Sequence, residues 1–441
     1  MRLDCKALLL AAALLAPAVA GAQVRSAYGC EGLADAPQVA SVEGRAGVFY
    51  RLIPDLQMEQ PFPDEVVADV ARLSRALAAN GTRLVYVPVP PKGVGMPQYL
   101  PAEASDHGFD PEIAATVHDD LIRRLQDAGV AAVNLRRAFR ALGPGGQAYF
   151  GTDPRLTAAG ARAAARAIAA AIGDAVPDAR RGDRRFVTVP AGSVDLRSHH
   201  RILLQRHCAA TLPPVRTETF RTDAVEAAGS DPRREIFAER SESGHIALVG
   251  TEISAPPEVN LAGFLSEFTG MDVIQFSLPE GGAFGAISSY MTSRRFADAR
   301  PAVLVWENPL QYNLAQFGDQ PMRELLAAAS DACRTPLAFR VAPGGRRLSA
   351  DLAGLDPGRG YTLFLDADSD GIDRATFHLQ TAAGRSRSRT VVRAPGQVRT
   401  GRFYVPADGL WAQPATAVEV DLPAPAGASV TLAACPYGAE G

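Results

Sequence analysis

Lysine is all but missing from this chain: Lys6 and Lys92 are the only two in 441 residues, and arginine carries nearly all the positive charge. Acids slightly outnumber bases, the formal net charge is −3, and no basic block occurs, so there is no electrostatic case for a nucleic-acid partner. Cysteine is scarce as well. The chain has five, with no C-x-x-C pair and no Cys/His cluster, and His207 beside Cys208 is an isolated neighbour, which removes the usual zinc-site patterns. Long apolar runs are also lacking. The run Ala7–Ala16 falls short of the roughly 20 residues that a membrane-crossing helix needs, and nothing later resembles a span.

What the N terminus does hold is the pattern of an export signal. Arg2 and Lys6 precede the apolar run, and Ala20-Gly21-Ala22 supplies small residues for cleavage, so residues 1–22 read as a secretory signal peptide removed before Gln23. Cys5 lies ahead of the apolar run, not at the cleavage point, which argues against a lipoprotein. The expected location is the periplasm. Four cysteines then remain, Cys30, Cys208, Cys333 and Cys435, an even number suited to two disulfides in an oxidising compartment. Of the three possible pairings, Cys30 with Cys208 and Cys333 with Cys435 keeps each bridge inside one composition block and is the working expectation.

Two such blocks are visible. Between residues 23 and 332, apolar runs at Arg83–Val89, Ala131–Leu135, His245–Gly250 and Pro301–Trp306 alternate with helical patterns such as Asp64–Ala79, Pro111–Ala128 and Thr157–Ile172. Strands spaced by helices predict an α/β fold, a parallel sheet with helices on both faces and its functional site at the carboxyl ends of the strands. From 333 to 441 the rhythm shortens. Strand-like runs recur at close to ten-residue intervals, among them Leu337–Val341, Arg347–Leu352, Tyr361–Leu365, Ala375–Leu379 and Gly401–Val405, separated by turns such as Pro343-Gly344-Gly345 and Asp408-Gly409. That pattern predicts an all-β sandwich.

Four segments carry a resemblance to a known family: Tyr149-Phe-Gly-Thr-Asp-Pro-Arg-Leu-Thr-Ala-Ala-Gly160, Val87-Pro-Val-Pro-Pro-Lys-Gly93, Leu248-Val-Gly-Thr251 and Leu304-Val-Trp-Glu-Asn-Pro309. Together and in this order they resemble the AlgX-like proteins of alginate biosynthesis. The resemblance implies an SGNH-hydrolase-like domain followed by a carbohydrate-binding β-sandwich, a periplasmic location, and O-acetylation of an exopolysaccharide before export. In that chemistry a serine after the Gly-Thr is activated by a histidine, which an aspartate two residues earlier orients.

The chain departs from that pattern at two of three positions. Asp153 matches the aspartate, but Arg155 stands where the histidine belongs and Glu252 where the serine belongs. Arginine stays protonated at working pH and cannot serve as a general base. The two replacements together predict an Arg155–Glu252 ion pair with Asp153 as a second acceptor, the site being kept as structure. Ser254 is weighed as a displaced nucleophile and read instead as a cap or turn residue. His199 and His200, in the polar stretch Arg197–Arg201, are read as solvated. Tyr312 follows the Trp306–Pro309 motif at a strand end, a position that serves a cleft wall and a core equally well.

Asp366-Ala-Asp-Ser-Asp-Gly-Ile-Asp373 is the remaining informative run. Asp366, Asp368 and Asp370 before Gly371 match the first half of a calcium loop, although Phe377 occupies the closing acidic position; the plainer reading is an acidic hairpin. The expected role is a polysaccharide-binding or scaffold protein of exopolysaccharide O-acetylation and export with a degenerate acetyltransferase site. The alternatives are an active O-acetyltransferase with a rearranged site and a calcium-stabilised adhesion module. Expected partners are an anionic or neutral exopolysaccharide and other periplasmic export or acetylation proteins.

Overall fold

The computed structural model describes residues 26–59, 62–173, 184–225, 244–330, 333, 335–394 and 396–437. The predicted signal peptide lies outside them. A five-stranded parallel sheet runs in the spatial order Ala131–Ala132, Arg83–Val89, Val303–Pro309, Ile246–Val249, Val273–Gln275. Its central strands are largely apolar because both faces are covered. Val85, Val87, Leu248 and Val305 face one core, under the helices Ala158–Gly173 and Leu261–Thr269. Leu84, Tyr86, Ala247, Val249 and Trp306 face the other, under Asp64–Ala79 and Gln320–Ala329. The alternation is the period-two consequence of strand geometry.

The helices begin and end where local chemistry dictates. Asp110 caps Pro111–Asp127 by accepting from the amides of Glu112 and Ile113, with Pro111 at the first helical position. The predicted strand Ala131–Leu135 shrinks to Ala131–Ala132, because Asn134 caps a helix that begins at Leu135. An antiparallel ribbon, Arg185–Leu196 with Val215–Val225, was not apparent from the pattern. Much of it is solvent-exposed and interspersed with Arg, Thr and Asp, so no apolar run announces it.

Antiparallel strands between Thr335 and Tyr437 form two sheets, of four and five strands. Leu348, Leu363, Leu365, Phe377, Phe403, Val405 and Val420 fill the space between them. The disulfides join Cys30 to Cys208 and Cys333 to Cys435, as expected. Helix Gln320–Ala329 fastens the sandwich to the α/β part. On it, Glu324 takes a two-pronged bond from Arg393, 2.9 Å at each oxygen, and both side chains are almost fully buried. Arg323 of the same helix pairs with Asp408 and stacks 4.1 Å from the Tyr437 ring centroid.

The Asp366–Asp373 run does not gather its carboxylates. Asp366 pairs with Arg402 at 3.2 Å and Arg294 at 3.4 Å, Asp368 pairs with Arg294 and accepts from the amide of Ser429, and Asp370 is exposed. Among the described residues no group of three or more His, Cys, Asp or Glu side chains could hold a metal ion. Arginines hold Asp366 and Asp368, two of the three carboxylates that a calcium ion would need.

Candidate functional site

The carboxyl ends of three adjacent parallel strands converge on one cleft. Arg83–Val89 delivers Pro90, Pro91 and Lys92; Ile246–Val249 delivers Glu252 and Ile253; Val303–Pro309 delivers Leu310 and Gln311. Arg51 and Asp55, from the N-terminal hairpin and the helical turn after it, close one side, and Tyr149 and Pro154 close another. The space left is about 20 Å³, room for roughly one water-sized atom.

Asp153 and Arg155 meet across their own loop. Asp153 Oδ1 accepts from the backbone amide and Nε of Arg155, at 2.9 and 2.8 Å, and Oδ2 accepts from Nη2 at 2.8 Å. Arg155 Nη2 also donates to the carbonyl of Arg197. Burial opposes ionisation of Asp153, but the Arg155 guanidinium and the Ser198 hydroxyl outweigh it and hold the carboxyl below its ordinary pKa. Both oxygens that could orient an imidazole are thus engaged.

The expected Arg155–Glu252 ion pair does not form. The two-residue spacing lets Arg155 fold back on Asp153, whereas Glu252 sits in the turn after Ile246–Val249 and accepts from Tyr312 Oη at 3.0 Å through Oε1. Its Oε2 is buried without a hydrogen-bond partner. Burial first and then Glu252 push the Tyr312 phenol up to about 12, so it remains a donor. This places Tyr312 at the site rather than in the bulk core.

Ser254 points away from the chemistry. Its Oγ is 2.6 Å from Glu307 Oε2 and 2.7 Å from Ser277 Oγ, and Glu307 also accepts from the amide and hydroxyl of Thr251. Burial lifts the Glu307 pKa to about 7 against those hydrogen bonds. Gly250 is needed here, since a Cβ would lie 2.3 Å from Glu307 Oε2 and 2.4 Å from Ser254 Oγ. Ser254 lies in the turn after Ile246–Val249, held there in a buried polar network.

The histidines divide. His199 is exposed as expected, but His200 is half-buried with its Nε2 unpaired, and it feels Arg51, Asp55, Lys92 and Asp153. Ser198 caps the short helix His199–Gln205 and so aims His200 inward, a local rule that the polar composition of the stretch hides. Burial, aided by Arg51, lowers the His200 pKa to about 4.

Three further residues went unassigned from sequence. Arg51 clamps Asp55 through Nε and Nη2, at 3.0 and 2.7 Å, and reaches Gln311 at 3.2 Å. Lys92 is buried, donating to the carbonyls of Phe150 at 2.6 Å and Gly151 at 2.9 Å. Burial brings its pKa down to about 7. The signal for Lys92 was its rarity, as one of only two lysines in the chain. Arg51 and Asp55 had none beyond their four-residue spacing.

The family model described as "SGNH hydrolase-like domain, acetyltransferase AlgX" matches residues 43–310, which takes in every lining residue of this cleft except Gln311. The chain belongs to the ALGX family. It is 28% identical to the alginate biosynthesis protein AlgX of Pseudomonas aeruginosa over 277 residues, 62% of this chain and 56% of that protein. With AlgX of Azotobacter vinelandii it shares 28% over 320 residues, 70% of this chain and 60% of the relative. The matches thus cover less than two thirds of either AlgX protein. A probable alginate O-acetylase AlgJ from Azotobacter vinelandii is 25% identical over 309 residues, 65% of this chain and 76% of that protein. The solved structure of Pseudomonas aeruginosa AlgX superposes with a TM-score of 0.74 at 23% identity, covering 90% of this chain and 94% of that one. The O-acetyltransferase domain of Pseudomonas putida AlgJ gives 0.51 at 23% identity, over 65% and 98%. These superpositions show the ALGX fold, parallel sheet and β-rich C-terminal region included.

Proposed function

We propose that this ALGX-family chain works in the periplasm as a polysaccharide-binding or scaffold protein of exopolysaccharide O-acetylation and export, its acetyltransferase site having become structural. In this reading residues 23–332 carry the former catalytic cleft, residues 333–441 are the carbohydrate-binding sandwich, and no cofactor is needed. The observation that carries it is the closed Arg155–Asp153 fork: the carboxylate of the motif is saturated by a group that cannot take a proton. Two features agree. Glu252 offers no hydroxyl at the nucleophile position, and the nearby Ser254 is committed to Glu307. The names of the relatives supply the pathway class, alginate biosynthesis and O-acetylation.

A rearranged active site has one observation in its favour, the inward position of His200. It lacks a nucleophile to activate. Acetyl-ester hydrolysis and acetyl transfer by the purified protein, measured beside its binding to polysaccharides, separate the readings: binding without turnover supports the proposal, and turnover abolished by His200→Ala overturns it.

A further inference from the structure

We infer that Glu307 is a proton-binding site reached from solvent through Ser254 and Ser277, so that mild acidification changes the charge felt by Glu252 without rearranging the fold. Glu307 lies near the carboxyl end of strand Val303–Pro309 and is 2% exposed. Its carboxylate takes three hydrogen bonds, all from neutral donors: Oε1 from Thr251 Oγ1 at 3.0 Å, and Oε2 from the Thr251 amide at 2.8 Å and Ser254 Oγ at 2.6 Å. The titratable groups that interact with it are Glu252, Tyr86 and Tyr149, none of them a cation. Of the two flanking strands, Arg83–Val89 contributes Tyr86, its Arg83 lying at the opposite end beside Val303, and Ile246–Val249 contributes no titratable side chain. A buried carboxyl that has hydrogen bonds but no counter-charge favours its neutral form, and burial accordingly lifts this one to about 7.

The hydroxyls supply the path. Ser254 Oγ stands between Glu307 Oε2, at 2.6 Å, and Ser277 Oγ, at 2.7 Å; Ser254 is buried and Ser277 only half-buried. Thr251 fixes the direction of the other two bonds. Its amide can only donate, and its hydroxyl, which accepts from the Ile253 amide at 3.3 Å, has its one hydrogen on Oε1. The Ser254 contact alone can reverse. With Glu307 ionised, Ser277 donates to Ser254 and Ser254 to Oε2. A proton given by water to Ser277 Oγ releases the Ser277 hydrogen to Ser254 Oγ, which releases its own to Oε2. Each serine ends with one hydrogen, the bonds now run from Glu307 outward, and no heavy atom has moved. Uptake removes a negative charge that acts on Glu252, so the charge around the cleft follows the pH of the surroundings.

Infrared titration of the purified protein tests this, because the carbonyl stretch of a protonated carboxyl is silent to Lys92 and His200. Between about pH 9 and about pH 5, above the range of ordinary carboxylates, wild type should gain one such band with its midpoint near pH 7, and Glu307→Gln should lack it. Ser254→Ala removes a donor that favours the charged form, so the band should stay and its midpoint rise by about one unit, a tenfold gain in proton affinity. This second variant assigns the band even if Glu307→Gln fails to fold. Ser277→Val should keep the band but slow its growth after a pH jump about tenfold or more, since the proton must then wait for local opening. No band in wild type, a band that survives Glu307→Gln, or a midpoint indifferent to Ser254→Ala overturns the proton site. Growth as fast in Ser277→Val as in wild type overturns the relay.

Discussion

At the scale of single residues, the side chain at position 155 sets what Asp153 is bonded to. A histidine at position 155 would leave Asp153 an orienting group; arginine makes it a saturated ion-pair partner. Asp153 is almost fully buried and the Arg155 side chain is 19% exposed, so the pair lies between the surface and interior cases. Arg155→Ala should cost about 1 to 3 kcal/mol at neutral pH, measured by denaturant unfolding, because it strands a buried carboxylate. The pH dependence follows from the sign of the shift. The folded pKa of Asp153 is lowered, so its contribution is present above the unfolded value of about 3.9 and fades as pH falls through the folded pKa. The gap between wild type and Arg155→Ala should therefore narrow below about pH 4. A gap that widens on acidification would contradict the assignment. The same paired residues explain why the sequence misled about Glu252. Opposite charges at two motif positions invited an ion pair, but backbone proximity let Arg155 close on its own loop first, and only the fold brings Arg51 and Tyr312 to Glu252.

At the scale of elements, the legible parts were those whose burial writes a pattern. Leu84, Val85, Tyr86 and Val87 are apolar in succession because helices cover both faces of the sheet, and the helix Asp64–Ala79 showed its amphipathic period over its whole length. The ribbon Arg185–Leu196 with Val215–Val225 escaped because its largely exposed strands bury too little to need an apolar stripe. The placement of His200 escaped for a related reason: a cap at Ser198 sets the direction of a short helix, and composition alone does not record direction. Helix Gln320–Ala329 gives an element-scale prediction. Its Glu324 and Arg393 of the sandwich are both desolvated, so Arg393→Ala alone should cost about 3 to 5 kcal/mol in thermal or denaturant unfolding. Joint replacement, Glu324→Leu with Arg393→Met, should recover most of that loss. A single variant as stable as wild type would show that the pair does not bind the two parts together.

At the scale of the molecule, an ALGX fold carries at its strand ends side chains engaged in packing and pairing. The parallel sheet brings three strand ends to one cleft, where Arg51 pairs with Asp55, Arg155 with Asp153, Lys92 with two backbone carbonyls and Glu307 with Ser254. The sandwich follows the same habit, with Arg294 and Arg402 closing on Asp366. Millimolar calcium should accordingly leave the melting temperature unchanged, and an upward shift would show that the ion displaces those arginines. The account as a whole stands or falls on covalent chemistry. The most direct test is to incubate the purified protein with an activated acetyl ester and follow both its intact mass and ester hydrolysis. The prediction is no acetyl adduct and hydrolysis at the buffer rate; an acetylated protein, or turnover lost on Ser254→Ala or His200→Ala, would contradict it.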